Sequence, residues 1–286
     1  MFRQLPLRRF TSNQRTKNFN FVSDSDLFYF ESILDPANVV TDPEELAPMN
    51  VDWQRRWSGN SKVALFPTST KQAAAALAYC NLRRLPVVPQ AGNTGQVGGS
   101  VPLFEEVILS VRKMNKITAF DEVNGILSAQ AGCLLDDLDN FCSSKGFQMP
   151  YNIGSRGSCM LGGNLATNCG GTRMVRHGSL RANTIGIEAV LANGTVIRDM
   201  TTMRKDNSGY DIKQLMIASE GTLGFITEAA VKCPVKAQSK HLVYLAVNSF
   251  DKSVHLLKKA REFFRGSLSA FELLDSCSQS VVYKAS

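Results

Sequence analysis

Apolar residues between positions 60 and 230 come in short blocks separated by glycine, proline and polar turns, a pattern that predicts many short strands and a few helices. Val63-Ala64-Leu65-Phe66, stopped by Pro67, predicts a strand. Ser69-Thr70-Lys71-Gln72 then places a capping-box pair ahead of the Ala-rich run 73–80, so a helix starts there. Leu85-Pro86-Val87-Val88 reads as the strand on its far side, which completes β-α-β. Val107 to Ser110 and Ile126 to Gln130 are two further short strands. Leu134, Leu135, Leu138, Phe141 and Cys142 recur at helical spacing and stop near Gly146, a natural C-cap. Asn193-Gly194, between Ile187–Leu191 and Thr195–Arg198, predicts a hairpin.

Beyond Pro234 the texture changes. His241–Val247 alternates like a strand, Phe250–Phe264 has the pattern of a charged amphipathic helix, and Leu268–Leu274 reads as a strand again. A lone β-α-β buries too little apolar surface to stand as a domain. The expected division is therefore a domain over 24–237 and the truncated start of a second over 238–286.

Charge alters the reading at the front of the chain. The formal net charge is +7, yet residues 1–23 hold Arg3, Arg8, Arg9, Arg15 and Lys17 with no acid. Residues 24–50 then carry seven acids and no base. An Arg-rich, acid-free leader dotted with Thr11, Ser12 and Thr16 predicts a mitochondrial presequence over 1–23. Arg8-Arg9-Phe10 looks like an R-x-F cleavage site, with the cut after Phe10, and the expected destination is the matrix. With the leader set aside the chain has little net charge and no basic run, so nucleic acid is not an expected partner. No stretch of about 18 apolar residues predicts a spanning membrane segment. Seven scattered cysteines without a C-x-x-C pair argue against a disulfide framework or a cysteine zinc site.

The candidate chemistry lies in glycine. Thirteen of the 21 glycines fall between Gly92 and Gly171, and they suggest loops that bring backbone close to a ligand. The first loop, Pro89 to Ser100, follows a strand but fits neither a Walker loop nor a G-x-G-x-x-G fingerprint. The second runs through Gly154-Ser155-Arg156-Gly157-Ser158 and Gly162 to Gly171. So many small residues offer a core little, which strains a purely structural explanation. The third, Ser219 to Thr227, is a turn entering a strand.

The strings PQAGNTGQVGGSVP at 89–102, GSCMLGGNLATNCGG at 157–171 and RKDNSGYDIKQLMIASEGTLGFIT at 204–227 resemble the vanillyl-alcohol oxidase family, whose members share the PCMH-type FAD-binding fold. The resemblance covers about Phe30 to Asp275, and Asn50-Val51-Asp52-Trp53 also looks like the opening segment of the branch that oxidises D-2-hydroxyglutarate. It implies an α+β fold: a PCMH-type FAD-binding domain of two α+β subdomains, followed by the start of an α+β substrate cap domain. It implies non-covalent FAD, because Asn93 stands where family members often carry a His that bonds the flavin. Gln90, Ala91, Gly92, Asn93, Thr94, Gly95, Gly98, Gly99 and Ser100 would cradle the pyrophosphate. Pro150, Gly154, Ser158, Gly162, Gly163, Asn164, Thr167, Asn168 and Gly170 would line the flavin and ribityl chain. Gly221, Thr222, Gly224 and Ile226 would close on the adenine end. Ala91, Cys169, Ala218 and Phe225 replace residues that are usually Gly, Ala, Gly and Ile in this family, and Ala91 restricts φ where Gly would not.

The implied reaction is oxidation of D-2-hydroxyglutarate to 2-oxoglutarate by hydride transfer to the flavin, with electron-transfer flavoprotein as the expected acceptor. The family's divalent metal, zinc, sits in a histidine-rich segment of the cap. His177, His241 and His255 form no H-x-H or H-x-x-x-H pair, so no metal site can be read. His177, in an Arg-His-Gly turn, reads as a surface loop, with a base near the flavin as the alternative; Arg173 and Arg176 read as exposed, with facing an acidic substrate as the alternative, and Cys159 and Cys169 as small packing residues. The catalytic residues are expected beyond the chain's cap segment. A flavin-binding module without catalysis and a dehydrogenase of another 2-hydroxy acid, such as D-lactate, remain as alternatives.

Overall fold

The computed structural model describes residues 18–285. The leader's basic residues, Arg3 to Lys17, and the Phe10 cleavage site lie outside the described residues. The described residues open with helix α1 (Asp24–Leu34), strand β1 (Val39–Val40) and the short helix α2 (Pro43–Leu46). Asp26 is fully buried on α1 and accepts hydrogen bonds from Tyr79 Oη and Arg83 Nε, both at 2.8 Å, which fasten α1 to the next long helix.

Strand β2 (Ala64–Leu65), helix α3 (Thr70–Arg83) and strand β3 (Val87–Gln90) form the expected β-α-β. Ala73, Ala76, Leu77 and Cys80 recur at three- and four-residue steps and bury one face of α3. Ser69 caps α3 by accepting from Gln72 N at 3.3 Å. The reciprocal arm differs from expectation: Gln72 Oε1 accepts from Thr68 N and Oγ1, both at 2.8 Å, one residue upstream of the cap. The second strand also begins later than Leu85, because Leu85 N closes the end of α3 on Cys80 O. Strand β4 (Val107–Ser110) inserts between β2 and β3 and pairs parallel with both, giving the order β1-β2-β4-β3.

The second sheet is antiparallel. It is built from β5 (Ile117–Asp121), β6 (Ile126–Gln130), β7 (Thr184–Val190), β8 (Val196–Asp199) and β9 (Phe225–Lys232), in the order β5-β6-β9-β7-β8. Between β6 and β7 run α4 (Leu135–Ser144), α5 (Leu161–Ala166), α6 (Met174–His177) and α7 (Leu180–Asn183); α8 (Lys213–Met216) precedes β9. The Asn193-Gly194 turn joins β7 to β8. Gly194 has φ +85°, and a Cβ there would meet Ala78 of α3 at 2.7 Å, so turn geometry and helix packing both require glycine. One core runs from Phe30 and Leu34 through Leu65, Leu77 and Leu109 to Leu127, Leu138, Ile187 and Val231. The fold is the α+β arrangement of two sheets that the resemblance implies.

After β9, helix α9 spans Phe250–Phe264, as its amphipathic pattern predicts, and α10 spans Ser276–Ala285. The two flanking strands do not form. Residues 241–247 and 268–274 join no sheet among the described residues, and Leu242 and Tyr244 are 89% and 78% exposed. Alternation marks a segment able to sit half-buried on a pleated surface; the ladder itself needs a neighbour to pair with.

Candidate functional site

The three glycine loops meet. The first leaves the end of β3 and touches the second backbone to backbone: a Cβ on Gly92 would stand 2.1 Å from Ser158 O. The second enters α5, where a Cβ on Gly163 would lie 2.9 Å from Ala91 Cβ. Gly162 N donates to Ala131 O at 2.7 Å and Leu161 N to Cys133 O at 3.0 Å, which seats α5 against the exit of β6. The third loop is tied to the C-terminal end of α5 by Ala218 N donating to Leu165 O (3.1 Å) and Glu220 N to Ala166 O (2.8 Å), and it runs straight into β9. Gly221 faces Pro89 of β3, closing the circle.

Several glycines therefore answer a structural need, including two of the second loop, for which a purely structural explanation looks strained from sequence alone. Gly92 admits the Ser158 carbonyl, Gly162 admits Ala131, and Gly171 admits the Asn152 carbonyl 2.0 Å from where a Cβ would be. Backbone-close packing of loop on loop assembles the site. Backbone strain lies at Ala218 and not at Ala91: Ala218 has φ +65°, while Ala91 lies outside the left-handed region.

The loops enclose a cavity of about 260 Å³. Of the expected residues, Gln90, Ala91, Gly92, Asn93, Thr94, Gly95, Gly99, Ser100, Gly162, Gly163, Asn164, Thr167, Gly221, Gly224 and Ile226 line it. Thr222 instead lines an adjoining cavity of about 720 Å³, which shares Pro89, Gly221, Gly224 and Phe225 with the first. The other six stand off both cavities. Gly98 lies against the Trp57 ring, the Ser158 carbonyl faces Gly92, and Pro150 is buried. Asn168 Oδ1 accepts from Arg181 N at 3.0 Å, Gly170 sits beside Met174 Sδ, and Gly154 faces open space.

Sequence reasoning missed Val97, Val111, Ile153, Ser155, Met160, Ala166, Cys169, Glu220 and Phe225 as lining residues. Most flank a glycine cluster, and that adjacency was the available signal. Glu220 brings the one charged side chain among the described residues lining the smaller cavity, with Oε2 3.6 Å from where a Cβ on Gly99 would lie.

Side-chain hydrogen bonds hold the walls. Asn93, at φ +52°, donates from Nδ2 to Val51 O (2.8 Å) and Pro48 O (3.3 Å) and accepts from Ser100 Oγ (2.7 Å). Its amide thus pins the first loop to the segment before β2. Asn164 Nδ2 donates to Tyr151 Oη at 2.9 Å, and Thr167 Oγ1 to Gly163 O at 3.0 Å. Burial drives the Tyr151 hydroxyl well above its ordinary pKa and pushes the Cys169 thiol up to about 12, so both stay neutral at the site.

Two features fit a nucleotide-sized ligand. Gly95 has a φ outside the left-handed region and lines the cavity, and a Cβ on it would meet nothing within 4 Å, so the protein leaves open space at this point of the wall. Gln90 is buried with Nε2 donating to Met49 O and Ser100 O, both at 2.9 Å, while Oε1 has no partner among the described residues. A buried carbonyl oxygen without a donor costs about 1–3 kcal/mol. The smaller cavity falls just short of the roughly 300–1,000 Å³ that a drug-sized ligand occupies, so a dinucleotide needs both cavities.

His177 lies outside both cavities. It sits half-buried on α6, not in a plain surface turn, with Gln148 Nε2 at 3.3 Å from its Nε2. Burial, then Arg176 and Arg173, lower its pKa and keep it neutral. Arg173 is not solvent-exposed either: it forks onto both carboxylate oxygens of Asp139 at 2.8 and 3.0 Å and donates to Met149 O at 2.7 Å. Arg176 is exposed and Cys159 is buried. Among the described residues no three His, Cys, Asp or Glu side chains converge to hold a metal, and no helix is long and apolar enough to cross a membrane.

Residues 61–199 match the family described as FAD binding domain. Over 269 residues the chain is 47% identical to a mitochondrial D-2-hydroxyglutarate dehydrogenase of Arabidopsis thaliana, a match covering 94% of this chain and 48% of the relative. It is 48% identical over 258 residues to the mitochondrial D-2-hydroxyglutarate dehydrogenase of Bos taurus, covering 90% and 47%. The chain thus spans about half the length of these curated relatives. A solved alkyldihydroxyacetonephosphate synthase shares the fold, with a TM-score of 0.69 at 19% identity over 79% of this chain and 43% of that one.

Proposed function

We propose that this chain, whose residues 61–199 match the family described as FAD binding domain, is the flavin-binding part of a mitochondrial D-2-hydroxyglutarate dehydrogenase. The observation that carries this reading is the convergence of three glycine loops on one cavity. Bound there, FAD would supply the acceptor for hydride from the hydroxyl-bearing carbon of the substrate.

This chain's part is to bind, orient and exclude water. Backbone amides of residues 91–95 would face the pyrophosphate, a nest that Asn93 keeps in place through Val51, Pro48 and Ser100. The Glu220 carboxylate near Gly99 repels phosphate and accepts from hydroxyls, so sugar hydroxyls belong on that side and phosphates toward Ala91 and Gly92. Gly163 and Gly162 let α5 approach the ring system. The adenine end would extend past Gly221 and Thr222 into the larger cavity, between Leu77, Leu85, Val87 and Phe225.

The groups that take the hydroxyl proton, hold the substrate carboxylates and bind a divalent metal are assigned to the part of the relatives that this chain does not span. Electron-transfer flavoprotein is the proposed acceptor. The visible spectrum of the purified chain before and after D-2-hydroxyglutarate tests the proposal. Flavin bands that bleach support a chain competent in oxidation, and bands that persist support binding without turnover. Soluble, folded protein with no flavin bands and no uptake of added FAD overturns the reading.

A further inference from the structure

Helix α3 ends against a segment that precedes every regular element of the described fold. The last carbonyls of a helix have no partner within it. Here Asn20 supplies two: its N donates to Arg84 O at 3.0 Å and its Nδ2 to Arg83 O at 2.7 Å. Arg84 takes the left-handed conformation, φ +53°, that turns its carbonyl out of the helix path. Val22 packs on the main core, and Ser23 N and Oγ donate to Asp26, itself fully buried against Arg83. The segment is thus fastened at both Asn20 and Ser23. So held, Asn18 and Phe19 form part of the wall of the 720 Å³ cavity, beside Leu77, Cys80, Arg84 and Phe225. Phe19 is 45% exposed and lines the larger cavity.

We propose that residues 18–20 are a strap that walls the nucleotide end of the flavin site and sets its grip on the adenosine half of the cofactor. This rests on the reading that FAD fills the two adjoining cavities.

The test compares the full chain with its Phe19→Ala and Asn20→Ala variants. Each is titrated into FAD and into FMN, which lacks the adenosine half, with flavin fluorescence as the readout and a melting curve to confirm the fold. Removing the aromatic wall is expected to weaken FAD about tenfold, the effect of uncovering part of one ring. The melting temperature of Phe19→Ala is expected to stay at the parent value, and FMN is expected not to discriminate the chains. Phe19→Ala that binds FAD as tightly as the parent overturns the strap while the flavin reading stands. A variant that weakens FMN as much as FAD overturns the placement at the adenosine end. A parent that takes up no FAD overturns both.

Discussion

Gly92 and Ser158 are in backbone contact: a single methyl group on Gly92 would lie 2.1 Å from the Ser158 carbonyl oxygen. The contact joins the loop leaving the parallel-paired strand β3 to the loop entering α5, and so joins the two sheets at the cavity. Gly92→Ala must force the loops apart. The expected cost is about 2–3 kcal/mol, the upper part of the overpacking range, because the obstacle is backbone. Chemical denaturation of the two chains measures it directly.

Gly95 is the opposite case. Its φ is ordinary and a Cβ would touch no protein atom, so Gly95→Leu is expected to leave stability within about 0.5 kcal/mol of the parent. The same side chain would fill space assigned to the ligand, and flavin uptake is expected to fall at least a hundredfold. A stable Gly95→Leu chain that binds FAD normally would remove this loop from the site. Gly163→Leu is a poorer probe, because the added atoms also meet Ala91.

Ala218 holds a left-handed φ of +65° in an exposed turn beside the third loop. Relief of that strain, less the extra freedom glycine brings to the unfolded chain, predicts that Ala218→Gly stabilises by about 0.5–1 kcal/mol. Thermal melting is the check, and a loss of stability would contradict the strain argument.

Asp26 sets an acid limit. Burial works to raise its pKa, but hydrogen bonds from Arg83, from the Ser23 side chain and backbone, and from Tyr79 together outweigh it and hold the carboxyl well below the usual range. A carboxyl depressed in the folded state contributes stability above its unfolded pKa, near 4, and loses it as pH falls further toward the folded value. The chain is expected to lose stability progressively below about pH 4, and Asp26→Asn to flatten that slope while costing about 2 kcal/mol at neutral pH. Denaturation curves from pH 7 to pH 3 for both chains report the difference.

What the sequence disclosed follows from which interactions are local. The Phe250–Phe264 helix, the Asn193-Gly194 hairpin and strands 107–110 and 126–130 all carry their signal in adjacent residues, and the structure reproduces them. The alternating stretch 241–247 shows what pattern cannot encode, since a strand also needs a partner edge. The strand at Ile117–Asp121 went unread because its half-exposed residues give no apolar block. At the site, glycine density disclosed where the chain approaches itself but not why. Gly92 and Gly171 serve backbone contacts, while Gly95 faces the cavity, and only the positions of Ser158 and Asn152 separate the two roles. Glu220 and Phe225 were passed over as lining residues because charge and bulk do not suggest a glycine cradle, although both sit within the third loop.

The central claim is that these three loops hold FAD. Its most direct test is titration of FAD with the purified full chain, following flavin fluorescence and the visible bands. The account predicts saturable one-to-one uptake that Gly95→Leu abolishes without lowering the melting temperature. A folded chain that leaves FAD fluorescence unchanged across the titration would contradict it.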